Sequence, residues 1–160
     1  MRIYGDTRSG NCYKLQLLLS LLGKTCEWID VDIMKGETRA PSFLEKTPNG
    51  KIPLLELDDG RVLSESNAIM HYLASNTPLI PSSPYSFSQL LQWQFFEQYS
   101  HEPYIAVARY INVYLGLPED RKAEYESKQA GGYRALAVMK HQLKTTPFLL
   151  GDTLTLADIS

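Results

Sequence analysis

Thr47-Pro48-Asn49-Gly50-Lys51-Ile52-Pro53-Leu54, followed shortly by Glu65-Ser66-Asn67-Ala68-Ile69, decides the fold of this 160-residue chain. The first stretch reads as a turn feeding a strand that begins at a proline, where a missing N–H is tolerated. The second reads as a helix start whose leading Glu and Ser do not belong to a core. Between them, Leu54 to Leu57, Asp58-Asp59-Gly60 and Arg61 to Leu63 form a hairpin signal. The Asp-Gly pair supplies the positive-φ positions of its turn. An Ile-Pro strand edge facing a polar helix N-terminus suits a ligand with an extended backbone and a carboxylate.

Working outward, Arg2 to Gly5 reads as a first strand, and a polar loop from Asp6 to Asn11 leads into a helix. That helix carries Leu15, Leu18, Leu19 and Leu22 at one-face spacing and stops at Gly23. From Glu27 to Ile33 the pattern alternates, with Ile29, Val31 and Ile33 on one face and Trp28, Asp30 and Asp32 on the other. A strand, a helix and another strand imply a parallel pair. Pro41 to Glu45 reads as a short helix, and Ser64 to Ser75 as the helix after the hairpin. The order βαβ-α-ββ-α predicts an α/β, thioredoxin-like domain over residues 1–77.

Three prolines between Thr77 and Pro84 mark a linker, placed at 78–85. Residues 86–160 carry no strand signal and predict an all-helical domain. A long aromatic helix over 86–115 should be interrupted at Pro103, and a more polar one over 119–144 has an expected weak spot at Gly131-Gly132. Thr155-Leu156-Ala157-Asp158 is a capping box opening a helix. The chain stops two residues later, so the helical domain reads as incomplete.

Composition narrows the function classes. With 44% hydrophobic and 21% charged residues, the chain is of ordinary globular make-up and can bury a core. A net charge of −2 without a block of like charges implies neither nucleic acid nor an anionic membrane as partner. Cys12 and Cys26 form no disulfide framework or metal cluster and suit a reducing compartment. The run Leu15 to Leu22 imitates a signal peptide but follows a strand and lacks a cleavage site. His71 and His141 read as structural or surface residues.

Ser9 stands just before the first helix, where free N–H groups and the helix dipole favour an anion. It reads either as a plain N-cap or as a hydroxyl that donates to a bound thiolate. Ser9-Gly10-Asn11-Cys12 has the spacing of a Cys-x-x-Cys redox motif with the first Cys replaced. A hydroxyl cannot form a mixed disulfide, but it can donate a hydrogen bond to another molecule's sulfur. Cys12 reads as a small apolar residue under the site or as a reactive thiol.

The Ile-Pro edge, the Glu65-Ser66 helix start and the domain order together resemble the cytosolic glutathione transferase superfamily. Arg8-Ser9 followed by a polar run and Lys14 is similar to the catalytic-serine segment of its zeta and phi members. Ser9-Gly10-Asn11 is similar to the Thr-Pro-Asn of the bacterial nu type. No tyrosine stands where the tyrosine-type members carry theirs, since Tyr4 falls in a strand and Tyr13 in a helix. The resemblance implies glutathione as co-substrate, with no covalently bound cofactor and no metal. It makes Ser9 and Asn11 the catalytic residues. It gives Ile52 a backbone pairing with the cysteinyl unit and makes Pro53 cis. It places Glu65 and Ser66 on the γ-glutamyl group. Arg39 and Lys51 read either as contacts to the glycine end or as solvated charges. Trp93-x-x-x-Glu97 through Glu102-Pro103 is similar to the phi-type helix that lines the electrophile pocket, which would place Tyr99 and Tyr104 there or in the core.

These expectations amount to a cytoplasmic, homodimeric detoxifying enzyme that joins glutathione to a small apolar electrophile. A glutathione-dependent disulfide reductase and a non-catalytic interaction module of the same fold are the alternatives.

Overall fold

The computed structural model describes residues 1–160 and separates into two compact units, residues 1–80 with 159–160, and residues 81–158. The first is a four-stranded sheet with helices. Its strands are β1 (Arg2–Gly5), β2 (Glu27–Asp30), β3 (Leu54–Glu56) and β4 (Val62–Leu63), in the order β2-β1-β3-β4. β1 and β2 run parallel with Ile3 opposite Trp28, while β3 runs antiparallel to both β1 and β4. The helices are α1 (Gly10–Leu21), α2 (Pro41–Leu44) and α3 (Ser66–Leu73). This is the thioredoxin-like arrangement, and a helical unit follows it.

Period-two alternation divides the sheet's apolar residues between its faces. Ile3 and Leu55 face each other across β1 and β3 and are fully buried, as are Leu15 and Leu18 of α1 and Ile69 and Met70 of α3. On the other face, Val31, Phe43 and Leu54 form a cluster on which Tyr4 and Ile52 pack. Each fully buried Leu, Ile or Phe contributes about 1.5–3 kcal/mol of transfer free energy. Both faces are therefore covered, which suits a sheet that is parallel at one edge.

Several boundaries differ from the sequence reading: α1 begins at Gly10 and the first helix of the second unit at Pro84, each inside an expected loop or linker, and two others have a clear local cause. β2 ends at Asp30, although the Val31 N–H still donates to Gly5 O at 3.0 Å. Asp32 ends the alternation: its carboxylate accepts from the Met34 N–H at 2.9 Å and starts a 3-10 turn over Ile33–Lys35. A short polar side chain here competes successfully with the sheet for backbone donors. The helix expected from Ser64 instead begins at Ser66, because Glu65 has φ 67° and ψ 114°, outside any helical region.

The second unit holds α4 (Pro84–Phe96), α5 (Glu102–Arg109), α6 (Lys122–Gln142) and all but the last residue of α7 (Leu156–Ile159). Ser83 and Pro84 start α4 as a cap and a first-turn proline. The interruption at Pro103 takes the form of a wide π turn over Glu97–His101 immediately before α5. A proline ring clashes with the carbonyl four residues back and cannot donate to it, and widening the turn relieves both. A second π turn, Tyr110–Tyr114, follows α5.

The Gly131-Gly132 pair is not a weak spot. Both glycines are buried inside α6, and a Cβ on Gly131 would lie 2.1 Å from the Tyr104 ring. The cost of glycine in a helix, about 1 kcal/mol, is offset by the close approach of α5 that it permits. The capping box forms as read. The Thr155 N–H donates to Asp158 Oδ2 at 2.9 Å, and Thr155 Oγ1 accepts from the Ala157 N–H at 3.3 Å. The same carboxylate also takes the Leu149 N–H at 2.7 Å, tying the preceding loop to the helix start.

Candidate functional site

Two helix N-termini and the loop that enters β3 carry most of the residues singled out in the sequence; β3 itself pairs on both sides, so Ile52 and Pro53 lie ahead of an inner strand and not along a strand edge. Ser9 caps α1, half-buried, and its Oγ accepts from the Cys12 N–H at 3.4 Å. Asn11 lies in the first turn of that helix. Its Oδ1 accepts a hydrogen bond from the Ser66 hydroxyl at 3.3 Å, across 55 residues of chain. The sequence pattern excludes Ser66 from a core, yet it is only 6% exposed. The Asn11 bond is what makes that burial tolerable, because a buried hydroxyl without a partner is costly. Through this pair the N-termini of α1 and α3 meet, and each presents free N–H groups and the positive end of a dipole.

Glu65 immediately precedes Ser66. Its side chain is exposed and makes no cap bond, and its backbone occupies the positive-φ range. Such conformations cost on the order of 1–3 kcal/mol for a residue with a Cβ and cluster at ligand clamps. Glycine would take the same backbone without that cost. The strain aims a carboxylate outward beside the Asn11–Ser66 pair.

The Ile52–Pro53 peptide is cis, as the resemblance implies. Ile52 packs on the Val31–Phe43–Leu54 cluster, and Pro53 is buried just before β3. Upstream, Gly50 has φ 58°, and a Cβ there would lie 2.8 Å from Thr38 O and 2.9 Å from Arg39 Nη1. Glycine thus lets the Arg39 guanidinium close over the turn. Arg39 and Lys51 are exposed cations on neighbouring backbone, Arg39 at the end of the 3-10 turn Glu37–Arg39. The Asn11–Ser66 bond brings the Ser9–Asn11 and Glu65–Ser66 segments together, and Arg39 closes on Gly50, next to Lys51.

Cys12 is fully buried, with its Sγ and the Trp28 ring both closing on Gly5. Burial pushes its thiol up, and the Ser9 contact offsets this only in part. It is a packing residue, not a thiolate. The Tyr4 hydroxyl donates to Glu56 Oε2 at 2.6 Å, and Lys46 Nζ donates to the same oxygen at 2.8 Å. That hydrogen bond to Glu56 raises the phenol's pKa, so Tyr4 is committed to the sheet.

In the second unit, Tyr104 lines a cavity of about 340 Å³ with Ile105, Ala108, Tyr125 and Leu136. Tyr99 does not line it and is 80% exposed.

Sequence reasoning gives Asp6 no role and takes Arg8 only as part of the Arg8-Ser9 segment, without their pairing. Asp6 is buried, and its carboxylate accepts from the Arg8 N–H at 2.9 Å, Nε at 3.0 Å and Nη2 at 2.8 Å. The Arg8 guanidinium holds the Asp6 carboxyl below its ordinary value. The available signal was the Asp-x-Arg spacing, since Asp side chains accept from the N–H two residues on.

Comparison with known proteins identifies the family of both units. The family described as glutathione S-transferase, N-terminal domain, matches residues 3–85, and that described as glutathione S-transferase, C-terminal domain, matches residues 93–160. A glutathione S-transferase from Pseudomonas fluorescens superposes with a TM-score of 0.96 at 57% identity, covering 99% of this chain and 79% of that one. Glutathione transferase URE2P6 from Phanerochaete chrysosporium, crystallised in complex with oxidized glutathione, gives 0.87 at 31% identity, covering 99% and 74%. Elongation factor 1-gamma of Danio rerio is 40% identical over 126 residues, or 78% of this chain. The matched stretch spans 28% of that protein's length.

Proposed function

Since this chain belongs to the glutathione S-transferase family, we propose that it binds glutathione at the α1–α3 site and transfers its thiolate to a small apolar electrophile. The observation that carries the reading is Glu65, a strained, outward-aimed carboxylate beside the Asn11–Ser66 pair. Held there, it suits the ammonium of a γ-glutamyl group. Ser66 and the α3 N-terminus suit the adjoining carboxylate, and the Ile52 backbone suits a cysteinyl unit added as one residue of strand. Arg39 and Lys51, two exposed cations, suit the glycine carboxylate. Ser9 and Asn11 are left for the sulfur.

The chemistry sets limits on what Ser9 contributes. A free thiol of pKa ~8.5 is about 3% ionised at pH 7, and a fall of two units brings it to roughly three-quarters. Nucleophilicity falls with basicity at a slope of ~0.4–0.5, so about threefold remains as net gain. Most of the acceleration must come from holding the electrophile in line with the sulfur. The sulfur–carbon bond forms as the leaving group departs, and the thiol proton has already gone to solvent. We assign an electrophile contact to Tyr104, which lines the cavity, and not to the exposed Tyr99, and propose a homodimer working in the cytoplasm.

A second reading is favoured by the 40% identity to an elongation factor 1-gamma: a glutathione-fold module used for assembly. It leaves Ser9, Glu65 and Ser66 without a task.

The test is thiolate absorbance of bound glutathione against pH, for wild type and Ser9→Ala. Loss of a hydrogen bond to a charged group, about 1.5–3 kcal/mol, raises the thiol pKa by about one to two units. Conjugation of a chlorodinitrobenzene falls with it. Reduction of a small disulfide without conjugation would point to the reductase instead, and absence of any glutathione affinity to the module.

A further inference from the structure

A four-residue loop, Asp6 to Ser9, joins β1 to α1 and decides where the Ser9 hydroxyl stands. Its backbone closes with one bond, Ser9 N–H to Asp6 O at 2.9 Å. A single turn bond leaves a loop tip mobile, since each fixed residue costs about 1–2 kcal/mol of conformational entropy. The remaining constraint comes from side chains. The Asp6 carboxylate takes the Arg8 backbone N–H and both prongs of its guanidinium fork. Bidentate charge-assisted pairs are the directional ones. Arg8 Nη2 also reaches Asp32 Oδ1 at 3.8 Å, and that carboxylate is itself held by the Met34 and Lys35 N–H groups. The fork therefore spans the carboxyl ends of the two parallel strands, the side of such a sheet where ligands bind.

We propose that Asp6, through Arg8, is a positioning residue for Ser9: the buried carboxylate fixes the β1–α1 loop so that the Ser9 hydroxyl meets a sulfur at hydrogen-bond distance. This rests on the Ser9 reading above and adds a residue that touches no substrate. Asp6 is 6% exposed, so it reaches the reaction only through the loop. The charge balance fits as well. A bare carboxylate beside the site would oppose a thiolate, and the Arg8 fork neutralises it without leaving a net charge in the loop.

The experiment compares Asp6→Asn, Arg8→Lys, Ser9→Ala and the Asp6→Asn/Ser9→Ala double variant of the full chain. The probes are glutathione and a chlorodinitrobenzene. Asn keeps one acceptor for the Arg8 N–H but loses the charge pair; Lys keeps the charge but loses the fork. The expected result is a kcat about two- to threefold lower for Asp6→Asn, within the roughly threefold that the Ser9 contact contributes through thiol ionisation. KM for glutathione stays within about twofold, since Glu65, Ser66 and Ile52 are untouched. The bound thiol's pKa rises part of the way to that of Ser9→Ala, and the double variant titrates with Ser9→Ala because both act on one contact. If Asp6→Asn fails to fold, Arg8→Lys is read by the same criteria. A shifted thiol in Ser9→Ala with wild-type titration in Asp6→Asn or Arg8→Lys overturns the positioning role alone. Unshifted titration in Ser9→Ala overturns the Ser9 reading and this proposal with it.

Discussion

Replacing Glu65 by glycine should move stability and binding in opposite directions. At φ 67° and ψ 114°, Glu65 occupies a backbone region in which a Cβ costs on the order of 1–3 kcal/mol. Glycine removes that cost but adds about 0.4–1 kcal/mol of unfolded-state freedom. The balance is a gain between roughly zero and 2.6 kcal/mol. For a chain of this size each kcal/mol shifts Tm by about 2–4 °C, so Glu65→Gly should melt at the wild-type temperature or a few degrees above it. Glutathione affinity should fall. The side chain is exposed, and water screens part of its pairing with an ammonium, so the low end of about 1.5 kcal/mol applies, roughly tenfold in Kd. Glu65→Gln separates the two effects, because it keeps the strained backbone and removes only the charge. Scanning calorimetry without ligand and titration calorimetry with glutathione measure the pair of quantities. A Glu65→Gly variant that melts several degrees lower while binding glutathione as tightly as wild type refutes the argument, since the residue would then be structural.

Gly131→Ala places a methyl 2.1 Å from the Tyr104 ring and should cost at least the 1–3 kcal/mol typical of overpacking, read as a Tm several degrees lower. Adding Tyr104→Leu should recover part of the loss, and a Gly131→Ala chain as stable as wild type contradicts the close approach of the two helices. Acid should destabilise the fold through Asp6, held low chiefly by its bond to Arg8, and Glu56, held low chiefly by Lys46 and then Tyr4. Because both folded-state values lie below the unfolded ones, their contribution is complete above the ordinary carboxylate range near ~4 and is lost as pH falls through the folded values. Urea midpoints should therefore drop between about pH 5 and pH 3, less steeply in Asp6→Asn, and equal midpoints across that range rule the linkage out.

Some of this protein was decided by stretches a few residues long. Ile52-Pro53 ahead of an apolar run, Asp59-Gly60 in a tight turn, and Thr155 three residues before Asp158 each specify their own backbone. The chemistry involved (a locked φ, a missing Cβ, a side chain reaching a nearby N–H) acts within a single turn. The leucine spacing of α1 and the alternation of β2 are local in the same sense, and from them the order of elements followed. Where two local signals competed, as at Asp32, the end of the strand could not be read, because the cap and the sheet sought the same donors. The tertiary structure alone decided what happens between stretches. Asn11 and Ser66 share a hydrogen bond over 55 residues, Arg8 joins the ends of two strands, and Glu65 is held at a φ its side chain disfavours. Gly131 and Gly132, which look like breaks in a helix, become contacts once Tyr104 lies against them. A sequence window reports what a backbone prefers in isolation, whereas burial, strain and shared donors exist only after distant segments have been packed together.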